Sequence, residues 1–233
     1  MMIIGHKGAA GYAPENTILS FQKAIEIGCK VVELDVRLSK DGEVVVFHDE
    51  EVSRVTDGEG FVREMSLIEL KKLNCGEGQK IPTLQDVIDF CKGRMDLLIE
   101  LKAPGTPKKV NQIIVKNNFE KNVTIISFYP ELLMEIKELN PSLKLGLLLE
   151  EYLEKLWILT EEIPVDFILP EERIVTKEIV EKAHILKKKV FAFTVNREDL
   201  ANKLFSLGVD GIITDFPGLF LLKTKAVNHN DNF

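Results

Sequence analysis

The stretch Val32-Glu33-Leu34-Asp35-Val36 decides the fold, because it alternates aliphatic and acidic residues with the period of a β-strand. Successive strand side chains point to opposite faces, so the two acids share one face and the three aliphatic residues share the other. In a parallel barrel the aliphatic face meets the surrounding helices, whereas the charged face looks into the barrel mouth. This stretch therefore predicts a barrel strand that ends at an acidic site.

Seven further β-rich runs alternate with segments of helical periodicity. The predicted strands are Met2–His6, Val31–Asp35, Leu97–Lys102, Thr124–Phe128, Lys144–Leu149, Asp166–Pro170, Val190–Val195 and Gly211–Phe216. The predicted helices are Thr17–Gly28, Thr83–Cys91, Lys108–Asn117, Pro130–Leu139, Tyr152–Thr160, Thr176–Lys188 and Arg197–Leu207. This α/β order predicts a (β/α)8 TIM barrel, with a doubly wound open sheet as the alternative because periodicity does not show closure.

Local signals place the ends of the first helix and a β-hairpin after the second strand. Asn16 is suited to cap the helix start, and Gly28 is suited to end it. Asp41-Gly42 lies between two strand-like runs, which predicts a hairpin with these two as its loop residues. That register places His48 opposite Asp35 and on the same face of the sheet.

The chain is expected to form a single domain over residues 1–233. Residues 49–82 are expected to form a short insertion after the hairpin, with a helix over Leu67–Leu73 capped by Ser66. The polar tail over Asn228–Phe233 is expected to be disordered.

Composition limits the classes of function. The 233 residues carry a formal net charge of −7, with a pI of about 5.3 and a mean hydropathy of +0.03. An acidic chain argues against nucleic-acid binding, and no secretory signal or membrane-spanning run is expected. The three cysteines lack a CxxC spacing, which favours free thiols and a cytoplasmic location. An anionic substrate would therefore need a local cation to hold it.

Charged residues recur at the ends of neighbouring strands. Glu100 and Lys102 share one strand face, as Glu33 and Asp35 do on theirs. Three converging carboxylates repel one another unless a cation joins them, and oxygen ligands suit one Mg²⁺ or Ca²⁺. The alternative explanation is an ordinary set of salt bridges to Lys102.

Two histidines flank these acids. His6 ends the first strand and His48 ends the hairpin return, which suits general acid–base catalysis on a phosphodiester, although a lone histidine is more often a surface or core group. Glu15 is a candidate for orienting a site residue. Phe193 is a candidate for packing on the glycerol part of a substrate, although a phenylalanine in a strand is usually a core residue.

The sequence resembles the glycerophosphodiester phosphodiesterase family over residues 5 to 217. The matching stretches, in the family's order and spacing, are Gly5-His6-Lys7-Gly8, Pro14-Glu15-Asn16-Thr17, Glu33-Leu34-Asp35-Val36, Lys40-Asp41-Gly42, Phe47-His48-Asp49, Glu100-Leu101-Lys102, Ser127-Phe128, Phe193-Thr194-Val195 and Gly208–Asp215 ending in Pro217.

The resemblance implies metal-dependent hydrolysis of small-molecule glycerophosphodiesters to glycerol 3-phosphate and an alcohol. It implies that Glu33, Asp35 and Glu100 bind the metal, that His6 and His48 form the acid–base pair, and that Lys102 contacts the substrate. The family usually has arginine at the position of Lys7, so a monodentate lysine would hold the phosphate here. Phe193 likewise stands where many relatives have tryptophan.

Two other functions are compatible with the same residues. A lysophospholipase D would need an apolar channel at the barrel mouth, which the sequence does not show. A catalytically weak phosphate-binding or metal-binding barrel would bind a glycerophosphodiester without turning it over.

Overall fold

Eight parallel strands close into a barrel. The computed structural model describes residues 1–151, 157, 160 and 162–227. The strands are β1 (Met2–Gly5), β2 (Val31–Leu38), β3 (Val44–Val46), β4 (Asp96–Leu101), β5 (Val123–Ser127), β6 (Lys144–Leu149), β7 (Phe167–Pro170), β8 (Lys189–Ala192) and β9 (Gly211–Thr214). Strand β1 pairs in parallel with β2 on one side and with β9 on the other, so the ring is closed. The predicted barrel is confirmed, and the open sheet is excluded.

Helices occur at the positions that the sequence predicts, with two differences. The helices are α1 (Ile18–Ile27), α2 (Leu67–Leu70), α3 (Leu84–Cys91), α4 (Thr106–Asn117), α5 (Pro130–Leu139), α6 (Lys177–Ile185), α7 (Glu198–Ser206) and α8 (Pro217–Val227). Helix α2 is shorter than predicted, and α8 was not predicted. The helix predicted over Tyr152–Thr160 falls largely outside the described residues, and the tail Asn228–Phe233 falls wholly outside them. No described helix has both the length and the apolar character needed to cross a membrane.

The N-terminus of α1 differs from the prediction. Its N-cap is Thr17, whose hydroxyl accepts from the backbone N–H of Ser20, and Asn16 turns away in a left-handed conformation. The Asn16 side chain instead hydrogen-bonds to Asp35, so Thr17 and not Asn16 caps the helix. Gly28 ends α1 in the left-handed conformation as predicted, where a side chain would be strained.

Two apolar layers confirm the alternation along β2 and β4. Val32, Leu34 and Val36 belong to the large core between the strands and the helices. The barrel interior holds a second, smaller cluster, and its buried members are Ile4, Leu98, Ile126, Leu148, Leu169, Phe191 and Ile213. Leu98 lies two residues before Glu100 on the same strand face, so the interior cluster forms the floor beneath the acidic residues.

The hairpin register is one residue away from the prediction. Strand β3 pairs with β2 through Val36 opposite Val46, and a three-residue loop separates Ser39 from Glu43. The longer loop forms because the Ser39 hydroxyl hydrogen-bonds to the Asp41 carboxylate and Gly42 takes a positive φ of 78°. Phe47, not His48, therefore lies opposite Asp35, and its backbone N–H donates to the Asp35 carbonyl oxygen.

Residues 49–82 connect β3 to α3 and pack against the outer side of the hairpin. Helix α2 begins after Ser66, which forms a capping box with Glu69. A small apolar cluster joins this segment to β3, and its buried members are Val45, Phe47, Val52, Val62, Leu70, Cys75 and Ile81. This packing holds residues 48–54 at the rim of the barrel, next to the C-terminal ends of β1 and β2.

Candidate active site

Three carboxylates meet at the C-terminal ends of β2 and β4. Asp35 lies directly opposite Glu100 in the parallel register, and Glu33 lies two residues earlier on the same face. All three are buried, with exposed fractions of 3% for Glu33, 1% for Asp35 and 6% for Glu100. One oxygen from each lies within 4.8 Å of the others. The predicted convergence is therefore present.

Burial and mutual repulsion shift the pKa values of these acids in different directions. Burial, followed by the charges of Asp35 and Glu100, raises the pKa of Glu33 well above its ordinary value. Burial and the charge of Asp35 raise the pKa of Glu100 to about 8. Burial also acts to raise the pKa of Asp35, but the charges of Lys102, His48 and Lys7 outweigh it and lower that pKa. The raised pKa values of Glu33 and Glu100 indicate that the cluster lacks enough positive charge to keep all three carboxylates ionised.

The donor set fits a divalent cation. Asp35 Oδ1 and Glu100 Oε1 are buried, and Lys102 is the cation beside both. Lys102 Nζ lies 3.2 Å from Asp35 Oδ1 and 2.7 Å from Glu100 Oε1 as an ion-pair partner. These ion pairs were the alternative explanation for the acids, but the pKa values of Glu33 and Glu100 stay raised beside Lys102, so the cluster has less positive charge than three ionised carboxylates require. The cluster can hold a divalent metal through hard oxygen ligands.

Two neighbours fix one further oxygen each of Asp35 and Glu33. The Asn16 side-chain amide donates to Asp35 Oδ2 at 2.8 Å, and the backbone N–H of Lys7 donates to Glu33 Oε2 at 2.9 Å. Lys7 takes a positive φ of 48°, which brings its N–H to face the barrel interior. Gly8 follows with φ of 87°, where an added Cβ would lie 2.4 Å from Ser20 Oγ. The loop after β1 is thus shaped to hold Glu33.

His6 lies at the end of β1 and is bound by a carboxylate from β9. Its Nδ1 lies 2.6 Å from Asp215 Oδ1. The Asn196 side-chain amide donates to Asp215 Oδ2 at 2.6 Å, and Asn196 Oδ1 accepts from the Asp215 backbone N–H at 2.9 Å. Burial acts to raise the pKa of Asp215, but the hydrogen bond and the charge of His6 outweigh it and lower that pKa. His6 Nε2 is left facing Glu33 at 3.9 Å.

His48 is held in a similar way by the loop after β3. Its Nδ1 lies 2.6 Å from Asp49 Oδ1, and Arg54 Nε donates to Asp49 Oδ2. Burial is the largest cause of the lowered pKa of His48, and the charges of Lys102 and Lys7 add to it against the charge of Asp35. His48 reaches the mouth although the register is shifted, because β3 ends at Val46 and strand alternation does not extend to residue 48.

Arg54 also connects this loop to the loop after β1. Its guanidinium donates to both carboxylate oxygens of Glu15, at 2.6 and 3.0 Å, and Lys7 Nζ donates to Glu15 Oε1 at 3.1 Å. Burial acts to raise the pKa of Glu15, but the hydrogen bond from Arg54 and the charge of Lys7 outweigh it and lower that pKa. Glu15 therefore orients Lys7.

A pocket of about 180 Å³ joins these groups. Its polar lining comprises His6, Lys7, Glu33, His48, Glu100, Lys102, Glu150 and Thr194. Phe128 and Phe193 form an apolar wall, with ring centroids 5.8 Å apart at an angle of 79°. Asp35 and Glu15 do not line this pocket but contact residues that do. The structure thus brings all nine predicted site residues together.

Four further residues of the site were not assigned a role from the sequence: Asp49, Arg54, Asn196 and Asp215. Asp49 and Asp215 lie in stretches that match the family, and an acid directly after a histidine was an available signal for Asp49. No spacing connects Asp215 to His6, because 209 residues separate them. Arg54 and Asn196 act through other side chains, so only the folded arrangement reveals them.

The closed ring and this mouth define a (β/α)8 barrel with a candidate metal cluster and two carboxylate-bound histidines. Active sites of such barrels lie at this end of the strands. The chain belongs to the glycerophosphoryl diester phosphodiesterase family, whose model matches residues 6–219.

Relatives and solved structures agree with this membership. The glycerophosphodiester phosphodiesterase of Caldanaerobacter subterraneus is 39% identical over 230 residues, which cover 93% of this chain and 94% of that protein. A phosphodiesterase of Oleispira antarctica, solved in complex with the product sn-glycerol-3-phosphate, has a TM-score of 0.89 at 30% identity and covers 98% of this chain and 97% of that one. The glycerophosphodiester phosphodiesterase of Thermotoga maritima has a TM-score of 0.83 at 31% identity, with 94% and 96% covered.

Proposed function

We propose that the chain hydrolyses glycerophosphodiesters to glycerol 3-phosphate and an alcohol, with a divalent metal and two histidines. The observation that carries the proposal is the shared pocket of the acidic cluster and both histidines. Membership of the glycerophosphoryl diester phosphodiesterase family supports this activity. The product sn-glycerol-3-phosphate bound to the Oleispira antarctica relative supports a small glycerol-containing substrate.

Glu33, Asp35 and Glu100 are the proposed metal ligands, and Mg²⁺ or Ca²⁺ is the proposed ion. Their oxygens lie close enough together to share one ion. Carboxylate oxygens are the ligands that both ions prefer. When bound, such an ion would neutralise charge on the phosphoryl oxygens.

The cationic and aromatic residues position the substrate in this proposal. Lys7 and Lys102 attract the phosphate, and Lys102 remains protonated because the charges of Asp35 and Glu100 outweigh the effect of burial and raise its pKa. Glu15 holds the Lys7 ammonium group in place. Phe193 and Phe128 pack against the carbon backbone of glycerol.

His6 and His48 are the proposed general acid and general base. Each binds a carboxylate through Nδ1, which leaves Nε2 to exchange protons with the substrate. One Nε2 accepts the proton of the attacking hydroxyl, either the glycerol 2-hydroxyl or water, as it bonds to phosphorus. The other Nε2 donates a proton to the alcohol oxygen as its bond to phosphorus breaks.

A coupled glycerol 3-phosphate assay on glycerophosphocholine tests the function and its metal. We expect turnover that EDTA abolishes and that added Mg²⁺ or Ca²⁺ restores. We also expect the melting temperature to rise with the metal, because it relieves repulsion among buried carboxylates. If EDTA changed neither the turnover rate nor the melting temperature, the metal would be removed from the proposal.

Replacement of either histidine tests the acid–base roles. We expect His6→Ala and His48→Ala each to lower kcat by about 10²-fold to 10⁴-fold, the usual contribution of a positioned acid or base. Binding without turnover in the wild-type chain would instead favour the catalytically weak barrel.

The thiols support a reducing compartment, and we infer the cytoplasm. Cys29, Cys75 and Cys91 are free and buried. Burial raises the pKa of Cys29 and Cys91 to about 12 and that of Cys75 to about 11. Free thiols of this kind are typical of cytosolic proteins.

A further inference from the structure

A second cavity, which we call the side cleft, adjoins the catalytic pocket. Its volume is about 490 Å³, against about 180 Å³ for the pocket. Lys102 lines both cavities, so they meet at its side chain. The side cleft runs between the loops after β2, β4 and β5 and the segment that follows β3.

Hydrocarbon forms most of the side-cleft wall. The apolar and aromatic lining residues are Leu38, Phe61, Val62, Ala103, Pro104, Tyr129 and Leu132. Tyr129 keeps an exposed fraction of 47%, whereas Val62 and Leu132 are buried at its base. Burial of such an accessible surface against apolar groups is favourable, because it removes apolar area from water.

The charged residues of the side cleft balance one another. Apart from the shared Lys102, they are two arginines and two glutamates. Arg37 donates through Nε to the His48 carbonyl oxygen at 2.7 Å, and its Nη1 lies 3.8 Å from Glu50. The Arg63 guanidinium lies over the Phe61 ring at 5.0 Å. Apart from Lys102, the cleft lining therefore carries no net charge with which to select a charged alcohol.

The position of the side cleft suits one half of a phosphodiester. On the proposed function, Lys102 binds the phosphate at the junction of the two cavities, and glycerol occupies the pocket beside Phe193. The second substituent of phosphorus must leave in another direction, and the side cleft opens there. The bond from Arg37 to the backbone of His48 places a catalytic histidine at the same junction.

We propose that the side cleft binds the hydrocarbon part of the leaving alcohol. The enzyme then prefers glycerophosphodiesters of apolar alcohols to those of short ones. This inference rests on the proposed function, and it adds a specificity that depends on residues outside the catalytic pocket. The reaction is the same hydrolysis, in which water adds across the bond between phosphorus and the alcohol oxygen.

A substrate series measures this preference. We expect kcat/KM to rise from glycerophosphoethanol through the butanol to the hexanol diester, by about twofold to fourfold for each buried methylene. Remote binding energy of this kind raises kcat/KM. A second arm places the same six-carbon chain on glycerol, as 1-hexanoyl-glycerophosphoethanol, and we expect no such gain there.

Two variants locate the effect, with the ratio of kcat/KM for hexanol and ethanol diesters as the readout. Tyr129→Ser removes part of the wall and Ala103→Phe fills the space, so each should lower the ratio at least threefold. Met134→Ser is the matched control, because Met134 lies on α5, which begins directly after Tyr129, does not line the cleft and has the same exposed fraction of 47% as Tyr129.

The outcomes separate this inference from the proposed function. A wild-type ratio near one, with ethanol diester still hydrolysed, overturns the inference alone. Hydrolysis of no diester overturns the proposed function. A gain only for the acylated glycerol would assign the cleft to the other half of the substrate and overturn the inference as stated. An equal fall in the Met134→Ser control would also overturn it.

Discussion

His6 and His48 have the same immediate contact but different surroundings. Each places Nδ1 at 2.6 Å from an aspartate oxygen. Asp215, beside His6, comes from a barrel strand end and is held by the neutral amide of Asn196. Asp49, beside His48, comes from the adjoining loop position and is held by the cation Arg54.

The two histidines differ in what holds the aspartate beside them: the barrel ring for His6 and a half-exposed side chain for His48. The His6 pair is fixed by the pairing of β1 with β9, which belongs to the closed ring. The His48 pair depends on Arg54, a side chain with an exposed fraction of 50% that also binds Glu15. A guanidinium hydrogen-bonds to Asp49, whereas Asp215 hydrogen-bonds to His6 and the Asn196 amide and feels the charge of Lys7 without a hydrogen bond to it. The two aspartates should therefore contribute unequally.

Replacing the aspartates should give the largest contrast. We expect Asp215→Asn to lower kcat about 100-fold and Asp49→Asn about tenfold, because a neutral amide hydrogen-bonds to Asp215 whereas the Arg54 guanidinium hydrogen-bonds to Asp49 and offsets more of its stabilisation of a protonated imidazole. Steady-state kinetics on glycerophosphocholine measures both. Asp210→Asn is a matched control, since Asp210 binds His184 at 2.9 Å outside the pocket. Equal losses at positions 215 and 49 would contradict the proposed asymmetry.

Replacing Arg54 or Asn196, which hydrogen-bond to the two aspartates, should give a smaller difference in activity. We expect Arg54→Ala to lower kcat/KM about tenfold and to affect both constants, kcat through His48 and KM through Glu15 and Lys7. Asn196→Ala should lower kcat alone, by a few-fold. Added guanidinium should restore part of the activity of Arg54→Ala.

Arg94→Ala provides the control for this rescue, because Arg94 lies over Phe90 away from the mouth. Its activity should equal that of the wild type and should not respond to guanidinium. A general response to guanidinium, or a loss in Arg54→Ala confined to stability, would count against a positioning role for Arg54.

The pH dependence of stability should give the smallest effect. The pKa of Asp215 is lowered in the folded chain, so its ionised form stabilises the fold above the unfolded pKa of about 3.9, and this stability is lost as the pH falls through the folded value. The difference in unfolding free energy between wild type and Asp215→Asn should shrink below about pH 4. Urea unfolding from pH 3 to 6 measures it, and a constant difference would exclude this linkage.

Short-range sequence patterns account for most of the correct predictions of strands and site residues. Alternation along Val32–Val36 identified which face of β2 carries the acids, because strand side chains have a fixed period of two. The same rule failed for His48, since it was applied through a hairpin whose loop has three residues and whose strand ends at Val46. Side-chain contacts between Ser39 and Asp41 set that loop length, and a sequence pattern does not contain them.

The sequence by itself determined the strand and helix order, the acidic face of β2 and β4, and the family. These follow from local periodicity and from residue types at fixed spacing. The tertiary structure decided the closure of the ring, the contact between His6 and Asp215, and the bridge from Arg54 to Glu15. Such contacts join residues that are remote in the chain, and their geometry depends on how strands and loops pack together, which local chemistry does not specify.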